Sequence, residues 1–140
     1  MQFICDAPDN KTWFRIESEA EAAIESDLMR HAVEKHFRVE WQKAARTFRP
    51  ASTAYIEQEI GLKAHIQQEM PLFLTLRDAE GNALATAMLP PCGKDDVTCK
   101  PIIVGIENRD PYPDQGEAIR ALADHFGLTL DRVRCYPYRR

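Results

Sequence analysis

The alternation of hydrophobic and polar positions at the start of the chain predicts a β-hairpin. Residues 2–6 (QFICD) and 12–17 (TWFRIE) are rich in aromatic and β-branched types, and the turn-forming residues 7–10 (APDN) separate them. Ser18 stands three residues before Glu21, which is the spacing of a capping box. The hairpin is therefore expected to lead directly into a helix.

A long apolar stripe follows, with most steps of three or four residues. This spacing predicts a helix over about 19–48, ended by Pro50. At ~1.5 Å per residue such a helix would be about 45 Å long, so a break or bend near His36 is expected. Its first half has a second apolar face at Ile24 and Leu28. A helix that is apolar on two sides is buried on two sides, so another part of the chain or a homodimer partner should cover this face.

The remaining pattern predicts two more helices and four more strands. Residues 72–77 and 83–89 form strand-like runs joined by a loop that contains Gly81, the signature of a second hairpin. The other predicted elements are a helix to about Met70, a β-rich run at 101–106, a helix ending before Gly127 and a last strand within 128–136.

The order β-β-α-α-β-β-β-α-β groups strands together rather than alternating them with helices. This grouping predicts an α+β fold, with a largely antiparallel sheet of about five to six strands and helices on one face. The length of 140 residues suits a single domain spanning 1–140.

Composition limits the class of function. A net charge of −4 argues against a dedicated nucleic-acid binder, although a local basic patch remains compatible with it. No apolar run approaches the ~18 residues of a membrane helix, and the first ten residues lack the pattern of a secretory signal. A cytoplasmic location without membrane contact is therefore expected, in which the four cysteines would stay reduced.

The stretch LPPCGKDDVTCKPIIVG, residues 89–105, has the densest set of reactive side chains. Its candidate ligand-binding residues are Cys92, Lys94 and Cys99. The seven-residue step between the cysteines does not fit a zinc knuckle or a Cys-x-x-Cys redox pair, so no metal site is predicted. A polar connection between strands is favoured, and a Cys92 nucleophile near Lys94 is the alternative.

A second loop lies between a strand and a helix, where binding residues are often held. Its candidates for a pocket wall are Asn108, Arg109, Asp110 and Tyr112. If the 90–100 and 108–114 loops met, an enzyme site could form between them.

Basic residues are concentrated in two segments that could bind a polyanion. Arginine binds phosphate well and tyrosine can stack on bases, which makes weak nucleic-acid binding an alternative function. The candidate residues are Lys43, Arg46, Arg49, Arg132, Arg134, Tyr136, Tyr138, Arg139 and Arg140.

The chain has none of the sequence motifs of familiar catalytic or cofactor sites. It contains no His-Glu-x-x-His, no glycine-rich phosphate loop, no Gly-x-Ser-x-Gly and no dinucleotide fingerprint. The leading hypothesis is therefore a small regulatory or accessory protein that binds without catalysis and needs no cofactor.

Overall fold

The computed structural model describes residues 1–51 and 53–137. Five antiparallel strands form one sheet in the order β1-β2-β3-β4-β5. The strands are β1 (Gln2–Ala7), β2 (Lys11–Arg15), β3 (Leu72–Arg77), β4 (Ala83–Leu89) and β5 (Ile102–Val104), and the helices are α1 (Glu19–Met29), α2 (Val33–Arg46), α3 (Tyr55–Glu69) and α4 (Tyr112–Phe126). The predicted α+β class and the antiparallel sheet are confirmed.

The arrangement of the helices differs from the prediction in one respect, because α4 covers the face of the sheet opposite to α1, α2 and α3. Leu72, Leu74 and Leu76 of β3 pack with Trp13 and the apolar side of α4. Phe73, one position out of step with these leucines, packs with α1, α2 and α3 instead. Successive strand side chains point to opposite faces, and here both faces of β3 are buried.

The predicted long helix is broken, but earlier than expected. Arg30 adopts a left-handed conformation (φ 56°) that ends α1, and α2 begins at Val33. Ser26 links the two helices, because its hydroxyl accepts a hydrogen bond from the Glu34 N–H at 2.9 Å. The break lets α1 and α2 pack on the same sheet face, where a straight helix of ~45 Å would extend past it.

The predicted capping box at Ser18 is confirmed in its first half. The Ser18 hydroxyl accepts the Glu21 N–H at 3.1 Å, and the Glu21 carboxylate accepts the N–H of Glu17 at 2.8 Å. The left-handed glycine expected after the last helix is also present, at Gly127.

The strand predicted within 128–136 does not form. Asp131 instead folds the segment into turns, since its side chain accepts the N–H groups of Val133 and Arg134, each at 3.1 Å. Tyr136 still forms one parallel bridge with Ile102 on β5. The C-terminal segment therefore covers part of the short edge strand without extending the sheet.

Candidate functional site

A buried carboxylate lies over the centre of the sheet. Glu25, on α1, is 0% exposed. Beneath it, Thr75 of β3 and Thr86 of β4 are direct cross-strand partners. Each threonine donates to a different oxygen of the carboxylate, Thr75 to Oε1 at 2.9 Å and Thr86 to Oε2 at 2.5 Å. The register of β3 and β4 thus positions two hydroxyl donors under one helical side chain.

Two further side chains complete this cluster, one beside each threonine. Arg77 donates to Glu25 Oε1 at 2.8 Å and to the Thr75 hydroxyl at 2.9 Å. On the other side, the distance from His31 Nε2 to the Thr86 hydroxyl oxygen is 2.8 Å. We call this set of five residues the Glu25 network. No buried side-chain nitrogen or oxygen atom of the described residues lacks a hydrogen-bond partner, and this includes the atoms of the network.

The hydrogen-bond pattern favours one tautomer of His31. Thr86 has one hydroxyl proton and donates it to Glu25, so His31 Nε2 must be the donor to Thr86. The other ring nitrogen, Nδ1, faces the N–H of Val33 at 3.4 Å and can only accept from it. These surroundings favour the neutral form of His31, because burial lowers its pKa against the opposing effects of Glu25 and of a hydrogen bond to its own backbone.

His31 connects the Glu25 network to a cavity of about 530 Å³, which we call the inner cavity. It lies between the start of α2, strands β4 and β5, and the C-terminal segment. Its lining is mainly apolar, with a few polar groups around it, as is common in binding sites for small molecules. The apolar lining includes Val33, Phe73, Met88, Ile102, Val104 and Pro137, and the polar lining includes His31, His36, Glu40, Thr86 and Asn108.

A second, more open cavity of about 880 Å³ continues from the first along α2. We call it the outer cavity. The two share four lining residues, namely Glu40, Met88, Ile102 and Tyr136. The outer cavity has charged groups of both signs, since Lys43 and Lys100 line it together with Glu69 and Asp96. The two cavities form one groove with an apolar inner end and a polar outer end.

The candidate residues of the 90–100 loop do not converge. Cys92 is exposed, and its thiol lies 3.6 Å from the carbonyl oxygen of Gln68. Cys99 is half-buried in the wall of the outer cavity, and burial raises the pKa of its thiol, which disfavours the reactive thiolate. Lys94 is exposed. All four cysteines are free thiols.

The candidates of the second loop have separate surroundings. Asn108 lines the inner cavity, whereas the exposed Arg109 pairs with Glu107. Asp110 pairs with Arg132 at 2.5 Å, and the Tyr112 hydroxyl donates to the carbonyl of Leu130 at 2.9 Å. The outer cavity is lined by Cys99 but by no residue of this loop, and the inner cavity is lined by Asn108 but by neither cysteine.

The predicted polyanion-binding residues are divided between several places. Lys43 and Tyr136 line the outer cavity, and Lys43 also lies 3.7 Å from Glu40. Arg132 stacks over the ring of Tyr112, while Arg46, Arg49 and Arg134 are exposed. Tyr138, Arg139 and Arg140 lie outside the described residues. Polyanion binding stays a prediction.

Sequence reasoning missed the Glu25 network, although one signal was available. Ala22, Glu25 and Met29 are spaced by three and four residues and are all buried, so Glu25 occupies an apolar position of the helix. A carboxylate there requires polar partners across the interface. Thr75 and Thr86, each with apolar neighbours on both sides in its strand, are the matching residues.

Comparison with protein families, with curated proteins and with solved structures finds no match to this chain. Within residues 1–51 and 53–137, no group of three or more His, Cys, Asp or Glu side chains is arranged to hold a metal ion. Over the same residues, no helix has the length and apolar character needed to cross a membrane.

Lowering the pH should weaken the fold through His31. Its pKa is lower in the folded state than in the unfolded chain, where it is about 6.5. Its contribution to stability is therefore fully present above pH 6.5 and is lost as the pH falls through the folded-state pKa. Urea unfolding between pH 8 and pH 5 should show this loss, and it should be smaller in His31→Gln. The matched control is His125→Gln, a change at another exposed position, which should keep the full loss. Equal losses in the native protein and in His31→Gln would contradict the assignment.

Proposed function

We propose that the protein binds a small, mainly apolar molecule in the inner cavity and acts by binding without catalysis. The observation that carries this proposal is the inner cavity itself, about 530 Å³ in volume and mainly apolar, with His31 held in its wall. Cavities of this size and lining bury most of the surface of a small organic ligand. A regulatory or accessory role in the cytoplasm agrees with such a site and with four free thiols.

The Glu25 network favours binding over catalysis. A general base needs a ring nitrogen that can take a proton from a substrate. In His31, Nε2 already donates to Thr86, and Nδ1 faces the Val33 N–H. The Thr86 hydroxyl is likewise committed to Glu25. The network therefore supports a fixed cavity wall, since its groups would have to break existing hydrogen bonds to react.

Polar recognition falls to two other side chains. His36 and Asn108 line the inner cavity, and neither side chain has a hydrogen bond or ion pair within the described residues. An imidazole and a carboxamide can both donate and accept. The proposed ligand therefore has an apolar body and a single polar group, such as a hydroxyl, carbonyl or carboxylate.

The test is a titration with the environment-sensitive dye 1-anilinonaphthalene-8-sulfonate, which combines apolar aromatic rings with a sulfonate group. We expect saturable fluorescence enhancement in the native protein. Val104→Trp would fill part of the inner cavity. It should weaken dye binding by on the order of tenfold or more, because the indole occupies the volume that the dye needs and the dye then loses its apolar contacts with the cavity wall.

The matched control is Val97→Trp. Val97 is 95% exposed and lines only the outer cavity, so this variant introduces the same side chain away from the inner one. It should leave the affinity for the dye unchanged. Equal affinity in Val104→Trp and the native protein, with both folded by circular dichroism, would overturn the proposal.

A further inference from the structure

The outer side of α3 is an apolar surface without a cover in the described structure. Tyr55, Ile56 and Ile60 are 73%, 69% and 66% exposed. Ile56, Ile60 and the exposed Ala64 are spaced by four residues, so they lie along one stripe of the helix. The opposite side of α3 packs inward through Ile66 and Leu62. Helix α3 is therefore apolar on two sides, only one of which is buried by residues 1–51 and 53–137.

The charges beside this stripe are self-complementary. Glu59 and Lys63 are four residues apart, so they lie on the same flank of the helix. Both are exposed, and neither forms an ion pair among the described residues. If a second α3 packs antiparallel with the two-fold axis at Gly61, Lys63 of one copy faces Glu59 of the other. The symmetry then forms this pair twice.

The exposed apolar face of α1 has no self-complementary charges beside it. Ile24 and Leu28 are 57% and 48% exposed on α1, whose own residues include acids but no base. Arg30, which follows the helix, is already paired with Glu107. Two copies of α1 in contact would place acidic residues against each other, which disfavours association.

We propose that two copies of this chain associate through an antiparallel contact between their α3 helices. Ile56, Ile60 and Ala64 form the apolar centre of this contact, and the Glu59–Lys63 pairs flank it on one side. A single helix pair is a small interface, so the dimer is weak and depends on concentration. The contact is independent of the proposed ligand, because none of these residues lines the inner cavity.

The first test is sedimentation equilibrium of the full chain over a hundredfold range of concentration. We expect a reversible monomer–dimer equilibrium in the native protein. Ile60→Glu should weaken association by on the order of tenfold or more, because it places like charges in the contact. Leu28→Glu, a matched change on α1, should have no effect. A native protein that is monomeric throughout, or a dimer lost in Leu28→Glu and kept in Ile60→Glu, would overturn the proposal.

Charge reversal tests the antiparallel geometry. Lys63→Glu alone and Glu59→Lys alone each place like charges opposite each other, so each variant should be mainly monomeric. Mixing the two should restore a heterodimer, since every facing pair then has opposite signs. If mixing restores nothing, the proposed pairing is wrong. Circular dichroism establishes that each variant folds, as expected for changes at exposed positions.

Discussion

Replacing Glu25 with alanine should destabilise the fold by about 3–5 kcal/mol, a large part of the ~5–15 kcal/mol that a domain has in total. The substitution removes the acceptor for Thr75, Thr86 and Arg77, all of which donate to it at 2.9 Å or less. The Arg77 side chain is only 12% exposed, so its charge would remain largely buried without a partner. Urea unfolding monitored by circular dichroism measures the loss.

Two further variants distinguish the loss of the Glu25 hydrogen bonds from the loss of side-chain volume. Glu25→Gln keeps the shape and one acceptor oxygen, so it should cost less than Glu25→Ala. Adding Arg77→Leu to Glu25→Ala removes the orphaned charge and should recover part of the lost stability. If Glu25→Ala alone cost less than about 1 kcal/mol, comparable to an exposed ion pair, the role assigned to the network would be wrong.

The second large effect is expected at Gly93, in the loop after β4. Gly93 has a φ of 65°, and a Cβ built there would overlap the ring of Phe126 at the end of α4. Gly93→Ala therefore combines backbone strain with a steric clash, and should destabilise the fold by about 2–4 kcal/mol. The measurement is again the free energy of unfolding in urea.

Gly127→Ala is the matched control for Gly93→Ala. Gly127 has a similar φ of 70°, but an added Cβ would meet no atom within 4 Å. This variant measures the strain alone, expected at about 1 kcal/mol. Equal effects of the two substitutions would show that Phe126 does not restrict this loop. A second change, Phe126→Leu, should partly rescue Gly93→Ala only if the clash is real.

The fold followed from the sequence wherever local pattern decided the outcome. The capping serine at Ser18, the hairpin around Gly81 and the left-handed Gly127 depend on neighbouring residues, which a single sequence displays. The break at Arg30 could not be predicted from the neighbouring residues. It depends on tertiary packing, because α1 and α2 must both contact the same sheet face.

The candidate site was less accessible to sequence reasoning because its residues are far apart along the chain. Glu25 meets Thr75 and Thr86, separated from it by 50 and 61 positions. Their proximity is created by the pairing of β3 with β4 and by the placement of α1 above them. The cysteine loop shows the opposite case, because its reactive side chains are close together along the chain but dispersed in space.

Thr75 and Thr86 also help to set the register of β4 against β3. Ala85 and Ala87, on either side of Thr86, face α4. If β4 slipped by one position against β3, an alanine methyl would sit beneath the Glu25 carboxylate, and the Thr86 hydroxyl would enter the apolar layer under α4. Misaligned sheets would thus lose a hydrogen bond on one side and bury an unsatisfied hydroxyl on the other. The alanine-rich sequence of β4 does little by itself to select one alignment with β3. The Glu25 side chain makes the shifted alignments energetically costly.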